Sequence, residues 1–89
     1  MKLAYITGAT KGIGRATAVT FANAGWDLIL LARDLEMLEM LRDELSETGS
    51  TINLVKCDLS NSNEIDNSIN ESIKKYGCPT VLILSLIHI

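Results

Sequence analysis

Residues 7–14 read Thr-Gly-Ala-Thr-Lys-Gly-Ile-Gly, and this stretch decides how the rest of the chain is interpreted. The apolar run before it, residues 3–7, is continuous rather than alternating, which is typical of a strand covered on both faces. From Ile13 onward the apolar spacing becomes helical, and Gly25 is placed to end that helix. The stretch is therefore predicted to be a glycine-rich turn between a buried strand and a helix.

The rest of the chain continues the alternation of apolar runs and amphipathic stretches. Residues 26–32, residues 51–55 and the run that begins at Thr80 are predicted to be further strands, and Asp34 and the segment 60–62 are predicted helix caps. The predicted buried stripes of the three helices are Ala16, Thr17, Thr20, Phe21 and Ala24; Leu35, Leu38, Leu41 and Leu45, with Gly49 as the stop; and Ile65, Ile69, Ile73 and Tyr76. The order β-α-β-α-β-α-β predicts an α/β fold, half of a doubly wound Rossmann fold, in which a parallel four-stranded sheet carries three helices.

Each glycine of the turn has a physical role in this interpretation. Gly8 allows a backbone turn that a Cβ would obstruct, and Gly14 lets the helix pack against the strand. Gly12 lets the main chain approach a diphosphate, which the free N–H groups and partial positive charge of a helix start would bind. No Gly-Lys-Ser/Thr follows, so a Walker phosphate loop is excluded. The alternative is a tight turn that binds nothing.

Composition excludes several classes of protein. The 89 residues are enough for one small domain, and 47% hydrophobic with 21% charged residues excludes a disordered linker. A net charge of −3 argues against nucleic acid as the main partner. The acidic segment 34–47 is expected to be a solvated helix face.

Cys57 and Cys78 lack metal-ligand spacing and are expected to be free, buried thiols, so no metal site is predicted. The apolar runs are too short for a signal peptide or a membrane span, which favours the cytoplasm.

The pattern TGxxxGxG, with Ile13 between the last two glycines and Arg15-Ala16 after them, resembles the N-terminal portion of the short-chain dehydrogenase/reductase family. The resemblance implies an oxidoreductase that moves a hydride between a nicotinamide and a carbonyl or alcohol carbon, with a homo-oligomeric full-length form. It also implies that the cofactor is held at the turn and at the ends of the next two strands, by Gly8, Thr10, Lys11, Gly12, Ile13, Gly14, Arg33, Asp58 and Leu59.

The end of the second strand bears on the choice of cofactor. Ala32 stands where the family usually has an acid that bonds the ribose hydroxyls, and Arg33 follows it. A guanidinium pairs well with phosphate, and by the resemblance Arg33 and Lys11 together imply NADP(H) rather than NAD. The alternative for Arg33 is a surface charge that pairs with Asp34 or Glu36.

The end of the third strand carries the pair Asp58-Leu59. In the family such a pair meets the adenine, the carboxylate accepting a hydrogen bond from the exocyclic amine and the apolar side chain touching the ring. Taken alone, Asp58 would instead cap the helix that follows.

The family's Tyr-x-x-x-Lys pair is not found in this sequence. Tyr5 is followed four residues later by Ala9, and Tyr76 by Thr80, so no catalytic residue is predicted and the chain is expected to be inactive alone. Two other functions stay open: an NADP(H)-sensing module without catalysis, and an unstable, inactive fragment.

The last residues depart from the family pattern. Residues 1–83 are expected to form a partial NAD(P)-binding domain. Residues 84–89, Leu-Ser-Leu-Ile-His-Ile, stand where the family has Asn-Asn-Ala-Gly and are expected to be an aberrant, non-native tail. The codons CTG-TCT-CTT-ATA-CAC-ATC would encode these six residues and look like a transposon end used in sequencing adapters.

Overall fold

The computed structural model describes residues 2–9, 12–58 and 60–84, the last of them by its backbone alone. Thr10, Lys11 and Leu59, which the sequence places in the site, lie outside the described residues. The elements in chain order are β1 (Leu3–Thr7), α1 (Gly12–Asn23), β2 (Asp27–Ala32), α2 (Leu35–Glu44), a 3₁₀ turn (Ser46–Thr48), β3 (Ile52–Lys56), α3 (Ser62–Tyr76) and β4 (Val81–Leu84).

The strands form one parallel sheet in the order β3-β2-β1-β4. Alternate residues of β1 face opposite sides: Ala4 and Ile6 pack with the small and leucine side chains of α1 and α2, while Leu3 and Tyr5 face the isoleucines of α3. The sheet is thus a central layer with α1 and α2 on one face and α3 on the other. The predicted α/β fold, half of a doubly wound Rossmann fold, is confirmed.

The predicted buried stripe of α1 is wrong in most of its members. Ala18 and Ala22 are buried against the sheet, together with Gly14, whereas Ala16, Thr20 and Ala24 are exposed. Alanine and threonine fit an exposed or a buried position almost equally well, so their spacing does not fix the buried face. The small side chains of the true stripe let α1 approach the strands closely.

The end of α2 also differs from the prediction. The regular helix stops at Glu44 and a 3₁₀ turn leads to Gly49, which has φ +79°. The Ser46 hydroxyl donates to the Asp43 carbonyl oxygen at 2.8 Å and the Thr48 hydroxyl to the Leu45 carbonyl oxygen at 2.7 Å. Such side-chain donors compete with the helical backbone and favour a tighter last turn.

The two cysteines differ in burial. Cys57 is buried, but Cys78 is exposed, so the expectation of two buried thiols is wrong for Cys78, which lies in the connection between α3 and β4. β4 continues to Leu84, one residue past the predicted domain boundary, while residues 85–89 lie outside the described residues and their non-native origin stays a prediction. In the part of the chain that the structure describes, no helix is long and apolar enough to cross a membrane.

The Tyr5 side chain of β1 links the sheet to the residue that follows α3. Its hydroxyl donates to the Gly77 carbonyl oxygen at 2.7 Å, and burial raises the pKa of this hydroxyl, with smaller contributions from Cys78 and Tyr76.

We expect Tyr5→Phe to lower the free energy of unfolding by about 1 kcal/mol, because the Gly77 carbonyl oxygen loses its hydrogen-bond donor. Denaturant unfolding measures this, and Tyr76→Phe, the same chemical change on α3, serves as the control. Equal stability of both variants would contradict the assigned role of the Tyr5 hydroxyl.

Candidate functional site

The carboxyl ends of the parallel strands meet at one edge of the sheet, and the described site residues lie there. The register pairs Thr7 at the end of β1 with Leu31 of β2 and with Leu84 of β4, and it pairs Ala32 with Lys56 of β3. The backbone N–H of Gly8 donates to the Leu31 carbonyl oxygen at 2.9 Å, which extends this pairing beyond the end of β1. Parallel α/β sheets bind ligands at such an edge.

The turn between β1 and α1 needs glycine at two positions for conformational reasons. Gly8 has φ +65° and Gly12 has φ +54°, in the left-handed region that residues with a Cβ adopt at a cost. Gly8 is buried, whereas Gly12 is exposed at the start of α1. Among the described residues, a Cβ added at Gly12 would meet no atom within 4 Å apart from its neighbours in the chain. Its lack of a side chain therefore leaves the backbone at the start of α1 open to a close-approaching group.

Gly14 needs to be glycine for a different reason, which is space. A Cβ on Gly14 would lie 2.8 Å from the Gly8 carbonyl carbon and closer still to the Gly8 carbonyl oxygen, within the backbone of the turn. The first turn of α1 therefore presses directly against the end of β1. Its N–H groups, which a helix start leaves without intrahelical partners, are held at the same edge of the sheet.

Ile13 lies between these two glycines and does not pack into the core. Its side chain is 80% exposed, far more than the buried isoleucines of the sheet. The next residue after Gly14, Arg15, forms an ion pair with Glu44 of α2, so its charge is compensated on the protein surface. The sequence interpretation missed this link because it joins two helices 29 residues apart in the chain.

Arg33 is exposed directly after the last residue of β2. Asp34 and Glu36, the alternative partners that the sequence offered, do not pair with it. Within the described ranges, the ion pair is that of Arg15 with Glu44. The Asp34 carboxylate instead caps α2, accepting from the Met37 N–H at 3.2 Å. The structure thus favours an arginine whose charge is available at the edge of the sheet.

Asp58 follows the end of β3 and holds a tight turn. Its Oδ1 accepts from the Ser60 N–H at 3.0 Å and from the Ser60 hydroxyl at 2.7 Å. These bonds hold the pKa of the Asp58 carboxyl below its usual value, and the nearby Arg33 guanidinium lowers it further. The carboxylate is therefore ionised at neutral pH and acts as an acceptor. It does not cap α3, because Asn61 does so, accepting from the Glu64 N–H at 3.1 Å.

Neither tyrosine lies at this edge. Tyr5 is buried in mid-strand with its hydroxyl committed to Gly77, and Tyr76 packs with the α3 face of the core. Among the described residues, no group of three or more His, Cys, Asp or Glu side chains is placed to hold a metal ion. The described part of the site thus comprises an open helix start, the exposed Arg33 guanidinium and the Asp58 carboxylate. This arrangement suits binding of a phosphorylated ligand.

Comparisons with known proteins agree with this architecture. A sequence profile of the family described as short chain dehydrogenase matches residues 2–85. A sulfoacetaldehyde reductase of Chromohalobacter salexigens is 43% identical over 65 residues, which are 73% of this chain and 25% of that protein. A farnesol dehydrogenase of Aedes aegypti is 37% identical over 83 residues, which are 92% of this chain and 34% of that protein. The chain thus spans about a quarter to a third of these relatives.

Solved structures show the same relationship. An alcohol dehydrogenase of Thermococcus sibiricus, in complex with 5-hydroxy-NADP, superposes with a TM-score of 0.84 at 34% identity, covering 92% of this chain and 35% of that one. L-sorbose reductase of Gluconobacter frateurii, in complex with NADPH and L-sorbose, gives a TM-score of 0.87 at 27% identity, covering 98% of this chain and 34% of that one. With a family profile matched along nearly its whole length, the chain belongs to the short-chain dehydrogenase family.

Proposed function

We propose that this chain is the cofactor-binding portion of an NADP(H)-preferring short-chain oxidoreductase. When bound, the reduced nicotinamide would give a hydride to a carbonyl carbon, and the oxidised nicotinamide would accept one from an alcohol carbon. The residues described here hold the adenosine and diphosphate end of that cofactor. The proton donor and the substrate-binding groups would have to come from residues that this sequence does not contain.

The turn at the start of α1 fits the diphosphate. The backbone of Gly12 is accessible from the side where a Cβ would project, and the N–H groups of the first helical turn carry partial positive charge. Gly14 keeps α1 pressed against β1, so these donors stay in a fixed position. Thr10 and Lys11 belong to the same segment of sequence and are proposed to contribute to binding, Lys11 through its charge.

The single observation that carries the choice of NADP(H) is the state of Arg33. This guanidinium is exposed at the end of β2, and the neighbouring Asp34 carboxylate is already engaged as the cap of α2. A 2′-phosphate on the adenosine ribose would accept two parallel hydrogen bonds from this planar guanidinium. Ala32, the last residue of β2, offers no carboxylate to bind the ribose hydroxyls or to repel that phosphate.

Asp58 and Leu59 are proposed to receive the adenine. The Asp58 carboxylate is ionised, and among the described residues the hydrogen bonds it accepts go to Oδ1. The Oδ2 atom is therefore the acceptor that we assign to the exocyclic amine.

The two free cysteines support a proposed location in the cytoplasm. The family resemblance supports a proposed homo-oligomeric full-length enzyme.

Titration of the purified chain with NADP and NAD tests this function. We expect NADP to bind at least about tenfold more tightly, because one charge-assisted phosphate contact contributes about 1.5–3 kcal/mol. The difference should shrink as salt is raised, because the contact is exposed. Equal binding of the two dinucleotides, or tighter binding of NAD, would show that Arg33 does not select the cofactor.

A further inference from the structure

We infer that Glu64 is a positioning residue for the adenine end of the cofactor, an inference that rests on the proposed function. Glu64 lies in the first turn of α3 and is exposed. Its Oε1 accepts a hydrogen bond from the backbone N–H of Asp58 at 3.1 Å. The Glu64 side chain thus contacts Asp58, six positions earlier in the chain, which the proposed function assigns to the adenine.

The contact is a displaced form of a common helix-start arrangement. In a capping box, the acid at the third helical position bonds the N–H of the capping residue. Here the cap is Asn61, and its own N–H already donates to the Asp58 carbonyl oxygen at 3.2 Å. The Glu64 side chain therefore bonds the Asp58 N–H instead. As a result, α3 is connected to the end of β3 and not only to its own cap.

Asp58 is consequently held through three of its polar groups. Its N–H donates to Glu64, its carbonyl oxygen accepts from Asn61, and its Oδ1 accepts from Ser60. The residue before it, Cys57, is buried, and its N–H donates to the Ala32 carbonyl oxygen at 2.8 Å. These contacts fix Cys57 and Asp58, so that the direction of the Asp58 carboxylate is set before a ligand arrives. Of these contacts, the bond to Glu64 is the one made by a side chain of α3.

Removing the Glu64 carboxylate should loosen the Asp58 turn without removing any group that touches the cofactor. We expect Glu64→Ala to weaken NADP binding about fivefold. The loss of a buried charged hydrogen bond would weaken binding more, but Glu64 is exposed. Glu64→Gln keeps an oxygen acceptor at the same position and should restore most of the affinity. Glu71→Ala, which removes an exposed carboxylate from the same helix, is the matched control and should bind as the wild type does.

The experiment has two arms on the purified chain. In the first, without cofactor, amide hydrogen exchange measured by NMR should be faster at Asp58 in Glu64→Ala and unchanged in Glu64→Gln and Glu71→Ala. In the second, titrations use NADP, adenosine 2′,5′-bisphosphate and inorganic diphosphate. The fivefold loss should appear for the two ligands that contain adenine and be absent for inorganic diphosphate.

The outcomes separate the inference from the proposed function. If the wild type does not bind NADP, the proposed function fails and the positioning role fails with it. If the wild type binds NADP and Glu64→Ala binds it equally well, only the positioning role is overturned. Equal weakening toward inorganic diphosphate, or weakening in Glu71→Ala, would also overturn it, because the effect would then be a general one of charge or stability.

Discussion

Gly14→Ala is expected to lower the free energy of unfolding by about 3 kcal/mol, the upper end of the usual cost of overpacking a well-packed interior. The added Cβ would lie 2.8 Å from the Gly8 carbonyl carbon, so either α1 or the turn must move. Backbone atoms cannot be displaced as easily as the end of a flexible side chain, and this makes the cost large. Denaturant unfolding followed by circular dichroism measures it.

Gly49→Ala is the matched control for this variant. Gly49 is a different case: its φ is +79°, but a Cβ there would meet no atom of the described residues within 4 Å apart from its neighbours in the chain. We expect a loss of only about 1 kcal/mol, which reflects backbone strain without steric overlap. A Gly14→Ala variant that fails to fold agrees with the steric argument, while one as stable as Gly49→Ala would refute it.

Arg33→Ala is expected to weaken NADP binding by about 30-fold, or about 2 kcal/mol, and to leave NAD binding unchanged. The physical reason is that, in the proposed function, the guanidinium pairs with the 2′-phosphate, which NAD lacks. Arg33→Lys should recover part of the loss, because an ammonium keeps the charge without the planar double hydrogen bond. Isothermal titration with both dinucleotides measures the effect.

Arg42→Ala controls for the loss of one positive charge. Arg42 is exposed in the last turn of α2, and among the described residues its guanidinium forms no ion pair. Its removal should change the affinity for NADP and the affinity for NAD by no more than about twofold, as expected of an exposed charge outside the binding region. If Arg33→Ala weakened NAD and NADP binding equally, Arg33 would act on the shared part of the dinucleotide and the proposed preference would be lost.

Local signals in the sequence predicted most of the fold because the interactions behind them span only a few residues. Asp34 and Asn61 each cap the helix predicted for them, through bonds to N–H groups three positions ahead. The apolar runs of β1 and β2 became strands buried between the helices, and the isoleucines of α3 face the core as their spacing predicted. These features need no knowledge of distant parts of the chain.

Two features of the site could not be predicted in this way. The spacing of small residues in α1 did not identify the face that Ala18 and Ala22 bury, because alanine and threonine tolerate either environment. The bond from Glu64 to Asp58 was also missed, although the acid three residues after the cap at Asn61 was a visible signal. That signal alone predicts a bond to the cap itself, and the actual partner depends on how the end of β3 approaches α3.

The sequence by itself determined the succession of strands and helices, the glycine-rich turn and the family to which the chain is similar, because periodicity, caps and glycines act over short distances. Only the tertiary structure decided which groups are available at the edge of the sheet. It paired Arg15 with Glu44, engaged Asp34 as a cap and left Arg33 exposed beside Asp58. The physical reason is that charge pairing and steric contact depend on distances between elements, which the order of residues does not specify.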